Sequence, residues 1–123
     1  MSSAHATARE LFAPERLGLE TRVEFRTTAV ELLDRLPADT GTLVIDLTHT
    51  RQVDSAGLGV LMLVQRRAAE RRQTVVLRHP NDELRFLLAI TKLAELFRLE
   101  PPREPRGGAR ATDRTMDASG GRR

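Results

Sequence analysis

A chain of 123 residues fits one domain and leaves little room for a second. Four Phe and no Trp or Tyr give almost no platform for stacking single-stranded bases, and the lack of cysteine excludes disulfides, thiolate metal sites and a cysteine nucleophile. The formal net charge of +3 sits in the C-terminal stretch: residues 101–123 carry six Arg against Glu104, Asp113 and Asp117, while residues 1–100 hold fourteen basic and fourteen acidic side chains.

In chain order, residues 1–7 read as a flexible terminus without the apolar core of a signal peptide. No stretch approaches the ~18 apolar residues of a membrane span, so the expectation is a cytoplasmic protein with no membrane span. R-E-L-F-A (9–13), just before Pro14, reads as a first strand. Thr21 to Leu36 reads as a helix with Val23, Val30, Leu33 and Leu36 near one face, and it stops before Pro37 because a residue preceding proline leaves the helical region. T-L-V-I-D-L-T (42–48) is a short apolar run with β-branched residues, the signal of a buried strand. Gly57 to about Arg72 reads as a helix: an apolar block from Leu58 to Val64, then a polar second half. T-V-V-L-R-H (74–79) is the next strand. Asn81 is a good N-cap, with Asp82 and Glu83 in the first turn of a helix carrying Leu84, Leu87, Leu88 and Thr91. L-F-R-L (96–99) could be a last strand.

Strand, helix of about four turns, strand forms a βαβ unit with parallel strands. The fold class is therefore α/β: a small, mostly parallel (mixed) sheet of about four strands packed against helices. The domain is expected over residues 8–101. Residues 102–123, rich in Pro, Gly and Arg with Met116 as the one large apolar residue, cannot bury enough surface to offset their ordering entropy and read as a disordered tail. Its arginines could touch nucleic acid or anionic lipid, but a solvated end needs no such partner, and no direct nucleic-acid binding is expected.

V-D-S-A-G-L-G-V (53–60) is the chemically informative stretch. It falls at the carboxyl end of the 42–48 strand, where open α/β sheets place their functional edge. Asp54 or Ser55 can serve as N-cap of the following helix. Gly57 and Gly59 are harder to explain, because each costs about 1 kcal/mol in a helix relative to Ala. Something must approach that backbone: a neighbouring element, a docking partner or an anion. A hydroxyl at Ser55 is held where free N–H groups favour negative charge, and the glycines keep its surroundings low.

Other chemistries find less support. There is no G-x-x-x-x-G-K-[ST], and Gly57-Leu58-Gly59 does not continue to G-x-G-x-x-G because position 62 is Met. His5, His49 and His79 lack metal-ligand spacing, so no metal site and no cofactor are expected. Asp46, His49 and Ser55 could suggest a hydrolase, but G-x-S-x-G is absent; Asp46 reads better as a carboxylate binding nearby backbone N–H groups, and no catalytic residue is assigned. R-R-A-A-E-R-R (66–72) reads as a solvated helix face with Glu70 pairing Arg66.

L-V-I-D-L-T-H-T-R-Q-V-D-S-A-G-L-G-V-L resembles the STAS domain of bacterial anti-sigma-factor antagonists, and the likeness extends over roughly residues 20–100. The resemblance implies a non-enzymatic switch. A partner that is both serine kinase and anti-sigma factor would phosphorylate Ser55, and phosphorylation would break the complex that frees the sigma factor. Asp54, Ser55, Ala56, Gly57, Leu58 and Gly59 would form the docking surface. ATP and Mg²⁺ would belong to the kinase, and the domain itself would be a monomer or weak dimer. The same fold also serves as an accessory subunit that docks on a lipid-transport ATPase without phosphorylation. Three departures stand out. A-P-E-R-L-G-L-E-T occupies the region where the family has a second strand and a G-E-L-D type turn. Ala56 stands where a second Ser or Thr is common. Lys92 stands where Gly often ends the third helix, and would be strained if that position is left-handed.

Overall fold

The computed structural model describes residues 7–100. The readings of the extreme N-terminus and of the 102–123 tail lie outside the described residues, apart from Thr7, whose carbonyl accepts from Thr42 N–H at 2.7 Å. The described chain runs β1 (Ala8–Phe12), β2 (Arg16–Leu17), α1 (Arg22–Arg35), β3 (Thr42–Asp46), β4 (Gln52–Val53), α2 (Ser55–Glu70), β5 (Thr74–Arg78), α3 (Asp82–Ile90), a 3-10 turn (Leu93–Leu96) and β6 (Arg98–Leu99). The main sheet has the order β1-β3-β5-β6, and every described pair in it is parallel. The α/β class and the four-strand sheet expected from the pattern are what the chain forms.

Alternation along the two central strands sets the layers. Leu43 and Ile45 of β3 and Val75 and Leu77 of β5 point into one apolar cluster with Phe25, Ala29 and Leu33 of α1, Val60, Leu61, Val64 and Ala68 of α2, and Leu84 and Leu88 of α3. Leu43, Ile45 and Leu77 are fully buried, each worth about 1.5–3 kcal/mol of transfer free energy. Arg78 at the end of β5 pairs with Glu10 of β1 and, at 2.9 Å, with Glu100 after β6, lacing the carboxyl edge of the sheet.

Two sequence expectations are corrected. The buried face of α1 is Phe25, Ala29 and Leu33, whereas Val23 is 61% exposed. Steps of four from Phe25 stay on one helical face, and a helix with so few large apolar residues left two registers open to a sequence reading. The stretch A-P-E-R-L-G-L-E-T, expected to lack the turn before the first helix, forms both a short strand and a turn. Arg16–Leu17 pairs in parallel with Gln52–Val53. Beyond it, Gly18 O accepts from Thr21 N–H and Arg22 N–H at 3.1 and 2.8 Å. The Thr21 hydroxyl closes the turn by donating to Arg16 O at 2.7 Å while accepting from Gly18 N–H at 3.1 Å.

The basic run on α2 does more than face solvent. Arg67 and Arg71 both pair with Asp34 of α1, at 3.1 and 3.7 Å, and Arg72 pairs with Asp39. Among the described residues the expected Arg66–Glu70 pair does not form. Arg71 and the buried Gln73 donate to Leu33 O, which also accepts from Leu36 N–H at 3.1 Å, and to Leu36 O just past the end of α1.

Candidate docking site at the start of α2

The first turn of α2 is built by Asp54, not by Ser55. Asp54 has extended backbone and is the N-cap: its Oδ1 accepts from Gly57 N–H at 2.9 Å. Its Oδ2 accepts a longer bond from Leu19 N–H at 3.4 Å, reaching across to the turn before α1. The Gly57 N–H bond, against some desolvation, holds the Asp54 carboxyl below the usual carboxylate range, helped by the N–H groups of Leu19 and Ala56 and by the charge of Arg22. Asp54 therefore ionises more readily than a free aspartate and takes the Gly57 N–H, one of the donors that a helix start offers an anion.

The two glycines have different reasons. A Cβ on Gly57 would run into the Leu17 carbonyl oxygen and lie 2.8 Å from its carbon and 2.9 Å from Val53 Cγ1. Such contacts are well inside van der Waals distance, so Gly57 is there because β2 crosses directly over the helix start. A Cβ on Gly18 would likewise meet the Asp54 carboxylate, 2.7 Å from its Cγ. A Cβ on Gly59 would find nothing within 4 Å. Packing within the domain does not require glycine there.

The six residues singled out in the sequence separate into two sets. Gly57 is buried and Leu58 is half-buried against the core. Asp54 is exposed but turned toward Gly18 and Leu19. Ser55, Ala56 and Gly59 line an open groove of about 610 Å³ between α1 and α2, whose other walls are Arg22, Val23, Arg26, Val60 and Leu63. Ser55 is exposed, and its hydroxyl makes no hydrogen bond among the described residues. Of these other walls, the sequence singles out neither Arg22 nor Arg26, its pattern places Val23 on the buried face of its helix, and Val60 and Leu63 belong to the apolar block of α2; the available signal is Val23 beside two arginines one turn apart.

The model of the family described as "Mlab, STAS domain" matches residues 7–100. The chain belongs to the STAS family. Membership puts it among regulatory, partner-binding domains, the coarse role that the resemblance implied. Among solved structures, the STAS fold of this chain is similar to a Thermotoga maritima protein described as a "putative anti-sigma factor antagonist", with a TM-score of 0.65 and 19% identity over 76% of this chain and 78% of that one. At that identity the likeness is one of fold. No curated protein matches the chain.

The STAS domain carries little else that resembles a reactive centre. Among the described residues no group of His, Cys, Asp or Glu could hold a metal ion, and no described helix is long and apolar enough to cross a membrane. Asp46 accepts from Thr48 N–H at 2.8 Å, the structural use its position suggested, while the Thr48 hydroxyl contacts His79 Nδ1 at 2.9 Å. Burial pushes the Asp46 carboxyl up, but the Thr48 hydrogen bonds and the charges of His79 and Arg78 outweigh it and leave it lowered. His49 is exposed on the loop after β3.

Proposed function

We propose that this STAS domain is a cytoplasmic partner switch of the anti-sigma-factor-antagonist type, written at Ser55 by a serine kinase that is also its binding partner. The observation that carries the reading is the Ser55 hydroxyl, which is exposed and without a hydrogen-bond partner among the described residues at the first position of α2, beside a neighbour already committed as the cap. The kinase would supply ATP and Mg²⁺. Ser55 Oγ attacks the γ-phosphorus, its proton passes to a base of the kinase, the bond from that phosphorus to the bridging oxygen breaks, and ADP leaves. The product adds about 1.5–2 negative charges at neutral pH. A helix start ordinarily favours such a group. Here Asp54 already holds the Gly57 N–H, so the phosphate meets an ionised carboxylate and changes the docking face electrostatically.

The test is intact mass after incubation with the cognate kinase and ATP, or after purification from the native cell. One added phosphoryl group, absent in Ser55→Ala, supports the switch; an unmodified chain under every growth condition rejects it. Because Ser55 is not the cap, Ser55→Ala should keep both stability and partner binding, while Ser55→Asp should weaken binding.

One observation favours a second reading, the accessory subunit that docks on a transport ATPase without being phosphorylated. Asp54 already places a carboxylate at the start of α2 and takes the Gly57 N–H, so the helix end carries a compensating negative charge without a phosphate. Under that reading Ser55→Ala and Ser55→Asp bind alike.

A further inference from the structure

We propose that the groove between α1 and α2 receives an acidic amphipathic helix of the partner protein, with Arg22 and Arg26 reading its carboxylates and Val23 and Leu63 taking its apolar side chains. This rests on the docking reading above and names the chemistry of the segment that docks.

Charge is the first argument. The groove wall holds two arginines and no carboxylate, although residues 1–100 as a whole are balanced. Arg22 and Arg26 stand one helical turn apart on α1, so their heads emerge on one face. Among the described residues neither forms an ion pair, which is also true of other surface arginines such as Arg35 and Arg66. What sets these two apart is their place: both line the same groove, with the exposed Val23 between them. Arg22 also lies near enough to Asp54 to help keep that carboxylate ionised, which places its charge at the head of α2.

Shape and polarity supply the rest. Val23 and Leu63 are 61% and 40% exposed and face the groove from opposite helices. Gly59 gives the wall between them no side chain, at a cost in helix propensity that no internal contact explains. A helix laid into a furrow between two helices, with apolar anchors inside and charges at the rim, is a recurring mode of recognition. The chain's own C-terminal stretch is a poor occupant, since residues 101–123 carry the same sign as the groove. A phosphate on Ser55 would stand on the groove wall and compete with partner carboxylates for the arginines.

The experiment titrates the ¹⁵N-labelled full chain with two synthetic peptides of about fifteen residues, long enough to become helical on binding. Both carry one leucine stripe; the polar face is Glu in one and Lys in the other. The Glu peptide should move the amide signals of residues 22–26 and 55–63 and bind about tenfold more tightly than the Lys peptide, the size expected when two exposed charge pairs turn from attraction to repulsion. Arg22→Glu with Arg26→Glu should reverse the preference. Gly59→Gln should weaken Glu-peptide binding while the circular dichroism spectrum stays unchanged. Ser55→Ala should bind the peptide as the native chain does, so failure of the phosphorylation reading leaves this result standing, and failure here leaves the intact-mass result standing. The proposal is overturned if the Glu peptide does not bind at millimolar concentration, if both peptides bind equally, if the shifts fall on Phe86 and Ile90 of α3, or if the same groove signals move with protein concentration alone, which would make the occupant a second copy.

Discussion

The two glycines of α2 allow a paired substitution whose members should move stability in opposite directions. Replacing a helical Gly by Ala gains about 1 kcal/mol from backbone propensity. At Gly59 nothing lies within 4 Å of the added methyl, so Gly59→Ala should keep that gain. At Gly57 the methyl meets the Leu17 carbonyl and Val53, and Leu17 is fully buried in a paired strand that cannot swing away. Overpacking costs about 1–3 kcal/mol, and contact with backbone rather than a flexible side chain puts this site at the upper end. After the propensity gain, Gly57→Ala should lose about 2 kcal/mol, some 3 kcal/mol apart from Gly59→Ala. For a domain of this size that separates the two melting points by well over 10 °C. The chain has no Trp or Tyr, so urea and thermal unfolding should be followed by far-ultraviolet circular dichroism. If both variants move the same way, or Gly59→Ala is the destabilised one, the assignment of Gly57 to packing and Gly59 to an open surface is wrong.

Gln73→Ala should cost about 1–2 kcal/mol in urea unfolding, because it strips a buried donor from the carbonyls ending α1 while Arg71 continues to reach two of them; a neutral result would remove Gln73 from the cap. Lys92 has φ 64° and ψ 14° just after α3, a left-handed conformation that costs a side-chain-bearing residue about 1–2 kcal/mol. Lys92→Gly should therefore raise stability by about 1 kcal/mol or a little less, once the greater freedom of glycine in the unfolded chain is counted; an unchanged melting point would argue against strain. The carboxyls of Asp46 and Asp54 are both lowered in the native state. The unfolded chain thus binds more protons in acid, and the stability these groups contribute is present above their unfolded value of about 3.9 and lost as pH falls through their lowered native values. Urea midpoints measured from about pH 5 downward should fall in that window, and Asp54→Asn should flatten part of the fall; a midpoint that rises on acidification would contradict the sign.

Strong local signals carried the sequence reading furthest. T-L-V-I-D and T-V-V-L-R are short, β-branched and continuous, as strands buried on both faces must be, and both form within two residues of their expected ends. Asn81 caps α3 as its chemistry demands, accepting from Leu84 N–H at 2.8 Å. The possible strain at Lys92 was legible because the resemblance placed a glycine there. What was hidden depends on contacts distant in sequence. The inward face of α1 turns on Phe25 and Ala29 against a core that lies elsewhere in the chain. The pairing of Arg67 and Arg71 with Asp34 replaces a local i,i+4 pair by one that bridges two helices. The distinction between Gly57 and Gly59 is invisible in G-L-G, since it depends on Leu17, forty residues upstream. The same holds for the groove, one wall of which belongs to α1.

The bond between Asp54 and Leu19, with Leu17 lying over Gly57, has a consequence for recognition. The surface around Ser55 is assembled from two segments separated by some thirty-five residues, and neither presents it alone. An isolated peptide spanning Val53 to Val60 would keep every residue of the motif and lose the groove, the fixed cap and the arginine wall. A partner that requires all three tests whether the domain has folded before it engages, so a nascent or damaged copy sends no signal.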